Sequence, residues 1–163
     1  MLSIRAFFQD DFPAVQTIYQ EGIDTGNATF QKQAKSWQEW HTSMLTECRL
    51  IAEINEEVIG WAALSAVSSR AVYAGVCEVS LYISNSAQGQ GVGKQLLQQL
   101  ITESEKHGIW TLQAGIFPEN EASIRVHEKC GFRTIGYREK IGQMDGVWRN
   151  SVFMERRSDK VGL

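Results

Sequence analysis

The chain has 163 residues, 43% of them hydrophobic and 21% charged, the composition of one soluble globular domain large enough to bury a core. A net charge of −3 gives no electrostatic footprint for a nucleic-acid partner, and the longest basic cluster, "MERRSDK", carries acids and reads as a solvated tail. Cys48, Cys77 and Cys130 are odd in number and fit no CxxC spacing, so neither a disulfide framework nor a zinc site is implied. They read as small core residues in a reducing compartment. No run of about 18 apolar residues occurs, and "MLSIRAFFQDDF" lacks the basic-then-apolar order of a signal segment, so a cytoplasmic location without a membrane partner is expected.

"LSIRAFF" alternates enough for a first strand. "QDDFPAVQTIYQEGI" then predicts a helix, with Asp10 or Asp11 as cap, Pro13 in its first turn, and Val15, Ile18 and Tyr19 on one face. "TGNATF" is a loop, and "SWQEW" carries the capping-box pair Ser36 and Glu39, opening a second helix that runs to about Cys48. "RLIAEI", "NEE" and "VIGWAALSAV" predict a strand, a tight turn and a strand. "VCEVSLYIS" is a fourth strand, with Val79, Leu81 and Ile83 on one face and Glu78, Ser80 and Tyr82 on the other. Past a glycine-rich stretch, Val92, Leu96, Leu97, Leu100 and Ile101 recur at helical spacing as far as "KHG", where Gly108 suits a left-handed cap. "IWTLQAGIF" is a strand, "ENEASIRVHEKCG" a helix capped by Asn120 and closed by Gly131, and "FRTIGYREKIGQMDGVWRNSVFMER" two strands around "MDG". The fold class is mixed α/β, with no repeat and no internal linker.

The stretch "AQGQGVGKQLLQQLI", which starts at Ala87, invites comparison with nucleotide loops. A phosphate loop of the GxxxxGK type requires a glycine where Gln88 stands and a hydroxyl where Gln95 stands. A dinucleotide turn requires GxGxxG after the first strand, whereas the spacing here is GxGxG after the fourth. The pattern does supply a strand, glycines at 89, 91 and 93, and a long helix. Unobstructed backbone N–H groups then gather at a helix N-terminus, which carries about half a positive charge. That is an anion cradle suited to a pyrophosphate. A turn without a ligand is the bland alternative, but turn geometry alone does not require three alternating glycines.

"SLYISNSAQGQGVGKQLL" resembles the Q/RxxGxG/A acetyl-CoA loop of the Gcn5-related N-acetyltransferases (GNAT), and "ENEASIRVHEKCGF" resembles that superfamily's next helix. Over nearly the whole chain, "NATF", "RAVYAGVCEVSLYI", "AGIFPENEASIRVHEKCGF" and "IGQMDGVWRNSVFME" are similar to the phosphinothricin acetyltransferase branch. The resemblance implies a GNAT fold, a central and mostly antiparallel sheet of about seven strands flanked by about four helices. It implies one N-acetyltransferase domain over residues 1–157 and a C-terminal tail over 158–163. It also implies acetyl-CoA as co-substrate, no metal, a homodimer, and a small amino-acid-like amine as acceptor: phosphinothricin, methionine sulfoximine, methionine sulfone or arsinothricin. Detoxification or resistance would be the use of such an activity. Three departures bear on the acceptor: Ala71 replaces a proline, Ala74-Gly75 replaces a basic or polar pair after Tyr73, and Asn150 stands where aspartate is frequent.

Amine acetylation requires a proton to leave an ammonium group, the thioester carbonyl to be polarised and the departing thiolate to be protonated. By resemblance Glu78 is the general base, acting through water, with a pKa raised by apolar neighbours. Read alone, it is an ordinary outward-facing strand glutamate. His127 matches the position from which a tyrosine usually protonates the thiolate, a step that an imidazolium of ordinary pKa can perform; packing against the sheet is the equal alternative. The resemblance assigns Gln88, Gly89, Gln90, Gly91, Val92, Gly93 and Lys94 to the cofactor loop. It assigns Leu81 and Ile83 to backbone pairing with the pantetheine arm, and Asn120, Ser123 and Lys129 to the same cofactor, Asn120 being equally natural as an N-cap. Arg70 is the candidate clamp for a substrate carboxylate, with Phe30, Tyr73 and Trp148 as pocket walls or as plain core packing. Cys77 alternates to the face opposite Glu78, which argues for direct transfer without an acyl-cysteine. The rivals are a polyamine, an aminoglycoside or a protein N-terminus as acceptor, and a non-catalytic acyl-CoA-binding module. Arg70 weighs against cationic acceptors, and Glu78 with His127 weighs against the module.

Overall fold

Seven strands, β1 (Leu2–Ala6), β2 (Leu50–Ile54), β3 (Glu57–Ala66), β4 (Val76–Ile83), β5 (Thr111–Ile116), β6 (Arg133–Met144) and β7 (Val147–Arg157), pair into one sheet in the computed structural model, which describes all of Met1–Leu163. Their order is β1-β2-β3-β4-β5-β7-β6, and every neighbouring pair is antiparallel except β4 with β5. Four helices cover the sheet: α1 (Phe12–Asp24), α2 (Trp37–Ser43), α3 (Val92–Lys106) and α4 (Glu121–Lys129). The crossover that a parallel pair requires is made by α3. This is the mixed α/β, mostly antiparallel architecture that the sequence implies. No helix is long and apolar enough to cross a membrane.

Successive strand residues face opposite sides, and the core divides accordingly. Ile51, Trp61 and Ala63 pack with Phe12, Val15, Ile18 and Tyr19 of α1 and with Trp40 of α2, whereas Leu50, Ala52, Ala62 and Leu64 pack with Leu96, Leu97 and Leu100 of α3. The same rule splits β4. Val79, Leu81 and Ile83 lie against the α3 cluster, and Tyr82 lies against the α1 cluster. Glu78 and Ser80 share the Tyr82 face by alternation.

Several local expectations change. The first strand stops at Ala6, and Asp11 uses its carboxylate to accept from the Phe8 N–H and to pair with Arg5 instead of capping α1. Helix α2 ends at Ser43 and not near Cys48. Met44 is extended there, Leu45 N–H pairs with Leu64 O at 2.8 Å, and the buried Arg49 donates to the carbonyls of His41, Met44 and Leu45. "MERRSDK" is not a solvated tail: its first four residues finish β7, and Ser158 is buried with its N–H on Trp110 O at 2.8 Å.

The Ala74-Gly75 departure has a packing reason. Trp110 lies so close to Gly75 that a Cβ there would stand 2.1 Å from the ring, and Gly162 meets the same side chain at 2.7 Å. Gly75 O also accepts from Trp110 N–H and Thr111 N–H, next to the first parallel pair, Val76 with Thr111. Gly75→Ala is expected to displace the indole and destabilise the fold by about 1–3 kcal/mol, the range for overpacking. The readout is a lower urea midpoint at constant m-value; an unmoved midpoint would mean that Trp110 swings aside freely.

Candidate active site

Strands β4 and β5 pair at only three positions, Val76 with Thr111, Cys77 with Leu112 and Glu78 with Gln113. Beyond Glu78 they part, β4 continuing along β3 to Ile83 and β5 along β7 to Ile116. The edge of β4 that faces the gap keeps backbone groups without a strand partner, where an extended ligand can pair. A cavity of about 540 Å³ opens from this fork. Its walls include Glu78, Leu81 and Tyr82 of β4, Phe117 after β5, Phe30 of the α1–α2 loop and Ser123 of α4.

Past the end of β4 the chain turns into α3 through two left-handed glycines, Gly89 (φ +74°) and Gly91 (φ +76°), the second being the helix N-cap. Nothing lies within 4 Å of where a Cβ would stand on either. Such a backbone requires glycine and leaves the first-turn N–H groups of α3 uncovered. Gly93 instead faces α4, with Val126 3.8 Å from a hypothetical Cβ. Lys94 and Lys129 are exposed on the two helices, and Val92 turns its side chain into the core. Gln88 and Gln90 brace the turn from within: Gln88 Nε2 donates to Ile83 O at 2.9 Å and Gln90 Nε2 to Ser86 O at 3.4 Å. Glu21 of α1 accepts from the Asn85 N–H at 2.7 Å. An anion cradle at a helix N-terminus, continuous with an open strand edge, fits a ligand that joins phosphates to an amide-bearing arm, as acetyl-CoA does.

Glu78 is the last β4 residue paired with β5, so its side chain stands at the fork. It is exposed, and the apolar enclosure expected from its neighbours is absent because the α1–α2 face opens into the cavity at this point. His127 is buried, 3% exposed, with its ring edge-to-face on Phe132 at 4.9 Å. Its Nδ1 lies 2.7 Å from Ser123 O, which can only accept, so Nδ1 carries the proton and Nε2 presents a lone pair. Nε2 is buried without a partner. Burial pushes the His127 pKa below its ordinary value, with the Ser123 hydrogen bond opposing in part. The ordinary pKa expected from the sequence is therefore corrected downward, because the ring is buried.

Asn120 uses both ends of its side chain: Oδ1 accepts from the Ser123 N–H as the α4 cap, and Nδ2 donates to Asn27 O, each at 3.3 Å. Phe30 does wall the cavity, edge-on to Phe117 at 4.8 Å and over Gly142. Arg70, Tyr73 and Trp148 do not line it. Arg70 stacks on Tyr73 in an exposed turn before β4, and Trp148, 57% exposed, stands near the tip of the β6–β7 hairpin.

Three residues enter that the sequence did not single out. Lys35 and Arg138 line the cavity as its only lysine and arginine, and Glu78 is its only carboxylate. Neither cation has an ion-pair partner. Arg149, with a side chain 13% exposed, ties down the loop that carries Phe30. Its Nη1 donates to Gly26 O at 2.9 Å, its Nη2 to Asn27 Oδ1 at 2.8 Å, and its guanidinium lies 4.0 Å over Phe117. No group of three or more His, Cys, Asp or Glu side chains gathers to hold a metal ion.

A model of the acetyltransferase (GNAT) family matches residues 3–132. The chain is 33% identical to a phosphinothricin N-acetyltransferase of Alcaligenes faecalis, over 94% of this chain and 81% of that protein. It is 27% identical to an L-methionine sulfoximine/L-methionine sulfone acetyltransferase of Pseudomonas aeruginosa, over 96% of this chain and 95% of that one. A solved GNAT-superfamily phosphinothricin acetyltransferase from Sinorhizobium meliloti, in complex with AcCoA, superposes with a TM-score of 0.89 at 28% identity, covering 99% of this chain and 90% of that chain.

The depressed pKa of His127 has a thermodynamic sign. The unfolded chain takes up the proton near pH 6.5 while the folded chain resists it, so stability is full above about pH 6.5 and falls as pH drops towards the folded pKa. Denaturant midpoints measured across this range are expected to give a slope of up to about 1.4 kcal/mol per pH unit, reduced in His127→Gln. Identical pH profiles for the two proteins would mean that the ring charges freely in the fold.

Proposed function

The chain belongs to the acetyltransferase (GNAT) family and is an acetyl-CoA-dependent N-acetyltransferase, and from that premise we propose that it acetylates a small amino-acid-like amine of the phosphinothricin or methionine sulfone type. The charge of the cavity carries this reading: one carboxylate, Glu78, with two unpaired cations, Lys35 and Arg138. An ammonium with anionic or oxygen-rich ends matches that balance, whereas a polyamine or aminoglycoside would meet like charge. The relatives that bear phosphinothricin and methionine sulfoximine/sulfone in their names support the same class. Detoxification of such a compound is the use we attach to it.

Acetyl-CoA supplies the acetyl group as a thioester. We assign its phosphates to Gly89, Gly91, Gly93, the first-turn N–H groups of α3 and Lys94, with Lys129 and Ser123 on the α4 side. The backbone of Leu81, on the open edge, pairs with the amide arm and polarises the acetyl carbonyl. Glu78 takes the proton from the acceptor ammonium, directly or through one water. Phe30 and Tyr82 wall the acceptor. His127 packs on Phe132, donates from Nδ1 to Ser123 O and leaves its buried Nε2 without a partner in the fold. Cys77 is buried, and burial pushes its thiol up to about 11, which supports transfer without an acyl-cysteine.

Three buried, unpaired thiols support a cytoplasmic location. A homodimer is supported by Tyr137, Ile141, Val147 and Trp148, all more than half exposed on the β6–β7 hairpin.

Thiol release from acetyl-CoA is expected with phosphinothricin, methionine sulfoximine and methionine sulfone, and not with spermidine, an aminoglycoside or a short peptide; the reverse pattern would sink the acceptor class. Glu78→Gln is expected to lower kcat about 10²–10⁴-fold near neutral pH with KM for acetyl-CoA little changed, and unchanged turnover would remove Glu78 as base. Sedimentation at twice the chain mass, reduced to the single-chain mass by Trp148→Glu, is the outcome expected of the dimer. Wild-type protein sedimenting as a single chain would overturn it.

A further inference from the structure

Lys35 and Arg138 reach the cavity from segments remote in sequence, and each is held in a defined way. Lys35 ends the α1–α2 loop, where its carbonyl accepts from Gln16 Nε2 at 3.2 Å and the preceding Ala34 N–H donates to Gln20 Oε1 at 2.9 Å. The following residue, Ser36, opens the capping box of α2. The backbone on both sides of Lys35 is therefore pinned. Arg138 lies on β6, and its guanidinium sits 4.3 Å over the Phe153 ring of β7. Such a stack orients the plane of the guanidinium and leaves its N–H edge free.

Other cations of the same region are neutralised, Lys32 by Asp145 at 3.0 Å and Arg149 by Glu119 at 3.7 Å. Lys35 and Arg138 are not, although both line a concave site. Unpaired, positioned cations in a cavity mark the place of an anion.

We propose that Lys35 and Arg138 form the anion clamp of the acceptor: Arg138 takes the α-carboxylate with its planar fork, Lys35 takes the oxygen-bearing head of the side chain, and Glu78 is left for the ammonium. The division follows from donor geometry. A guanidinium matches a carboxylate through two parallel hydrogen bonds, whereas a lysine ammonium is a point charge that serves phosphinate, sulfone or sulfoximine oxygens with little directional demand. Arg70, the carboxylate clamp expected from the sequence, lies outside the cavity. This clamp rests on the reading of the acceptor as an amino acid.

The test compares wild type with Lys35→Gln, Lys35→Arg, Arg138→Gln and Arg138→Lys, using thiol release with phosphinothricin, methionine sulfone and the α-amide of methionine sulfone. Arg138→Gln is expected to raise KM for both acids about ten- to a hundredfold, the loss of a charge-assisted pair, but not for the amide. Arg138→Lys restores only part of that loss, because the charge returns without the fork. Lys35→Gln is expected to penalise phosphinothricin, with its charged head, more than methionine sulfone, and Lys35→Arg to recover most of the difference. KM for acetyl-CoA stays constant throughout. Equal penalties on acid and amide in Arg138→Gln, or KM values within about twofold of wild type in both glutamine variants, overturn the clamp while wild-type turnover keeps the acceptor class standing. Absence of wild-type turnover of both acids overturns the acceptor class, and the clamp with it.

Discussion

The parallel pairing of β4 with β5 ends at Glu78, and that early end opens the molecule. Each strand stays in the sheet through its other neighbour, β4 through β3 as far as Ile83 and β5 through β7 as far as Ile116. The fold thus leaves one strand edge incomplete without releasing either strand, which limits the cost of unpaired backbone to the few groups that face the gap. Extending the pairing would close the space that the cavity occupies. The register that stops at Glu78 also sets its direction. Its side chain falls on the α1–α2 face, while Cys77 is buried in the α3 cluster on the other.

Around the fork, charge and shape come from different layers. The cradle at the start of α3 is made of backbone, with left-handed glycines where a side chain would obstruct it. The charges of the cavity are made of side chains: one carboxylate from the sheet, one lysine from the α1–α2 loop and one arginine from β6. A phosphate needs only N–H dipoles and is served by a rigid turn. The proposed amino-acid acceptor needs opposite charges at separate points, and three elements have to be brought together to supply them.

The legible parts of this molecule were those written locally. Alternation gave the faces of β4, the Ser36 and Glu39 pair gave the start of α2, and the spacing of Gly89 and Gly91 gave the left-handed turn into α3. What escaped was set by partners far along the chain. Arg149 is tied to residues 122 and 123 positions away, and no local pattern distinguishes it from any other strand arginine. Lys35 and Arg138 gain meaning only because a loop and a hairpin meet over the fork. The end of α2 depends on Arg49 reaching back to carbonyls, and the charge of His127 depends on how deeply α4 sits against Phe132. The enclosure expected around Glu78 is the opposite case. Its apolar neighbours in sequence point to the other face or lie beyond the fork, so they do not enclose it.

The α1–α2 loop is held largely through its main chain. Arg149 grips Gly26 O, Asn120 grips Asn27 O and Gln16 grips Lys35 O, so much of the loop's course is fixed by atoms that every residue has, Asn27 Oδ1 and the Thr25 and Thr29 hydroxyls being the exceptions. Lys35 is therefore free to differ without moving the wall that carries it, whereas Phe30 is itself packed on Phe117 and Gly142. The same Asn120 caps α4 through its other end, so the acceptor wall and the cofactor-side helix share one side chain. On the proposed reading, acceptor preference can change by substitution at Lys35 while the turn into α3 and the fork stay in register. A change at Arg149 or Asn120 acts differently, because it releases the loop backbone itself.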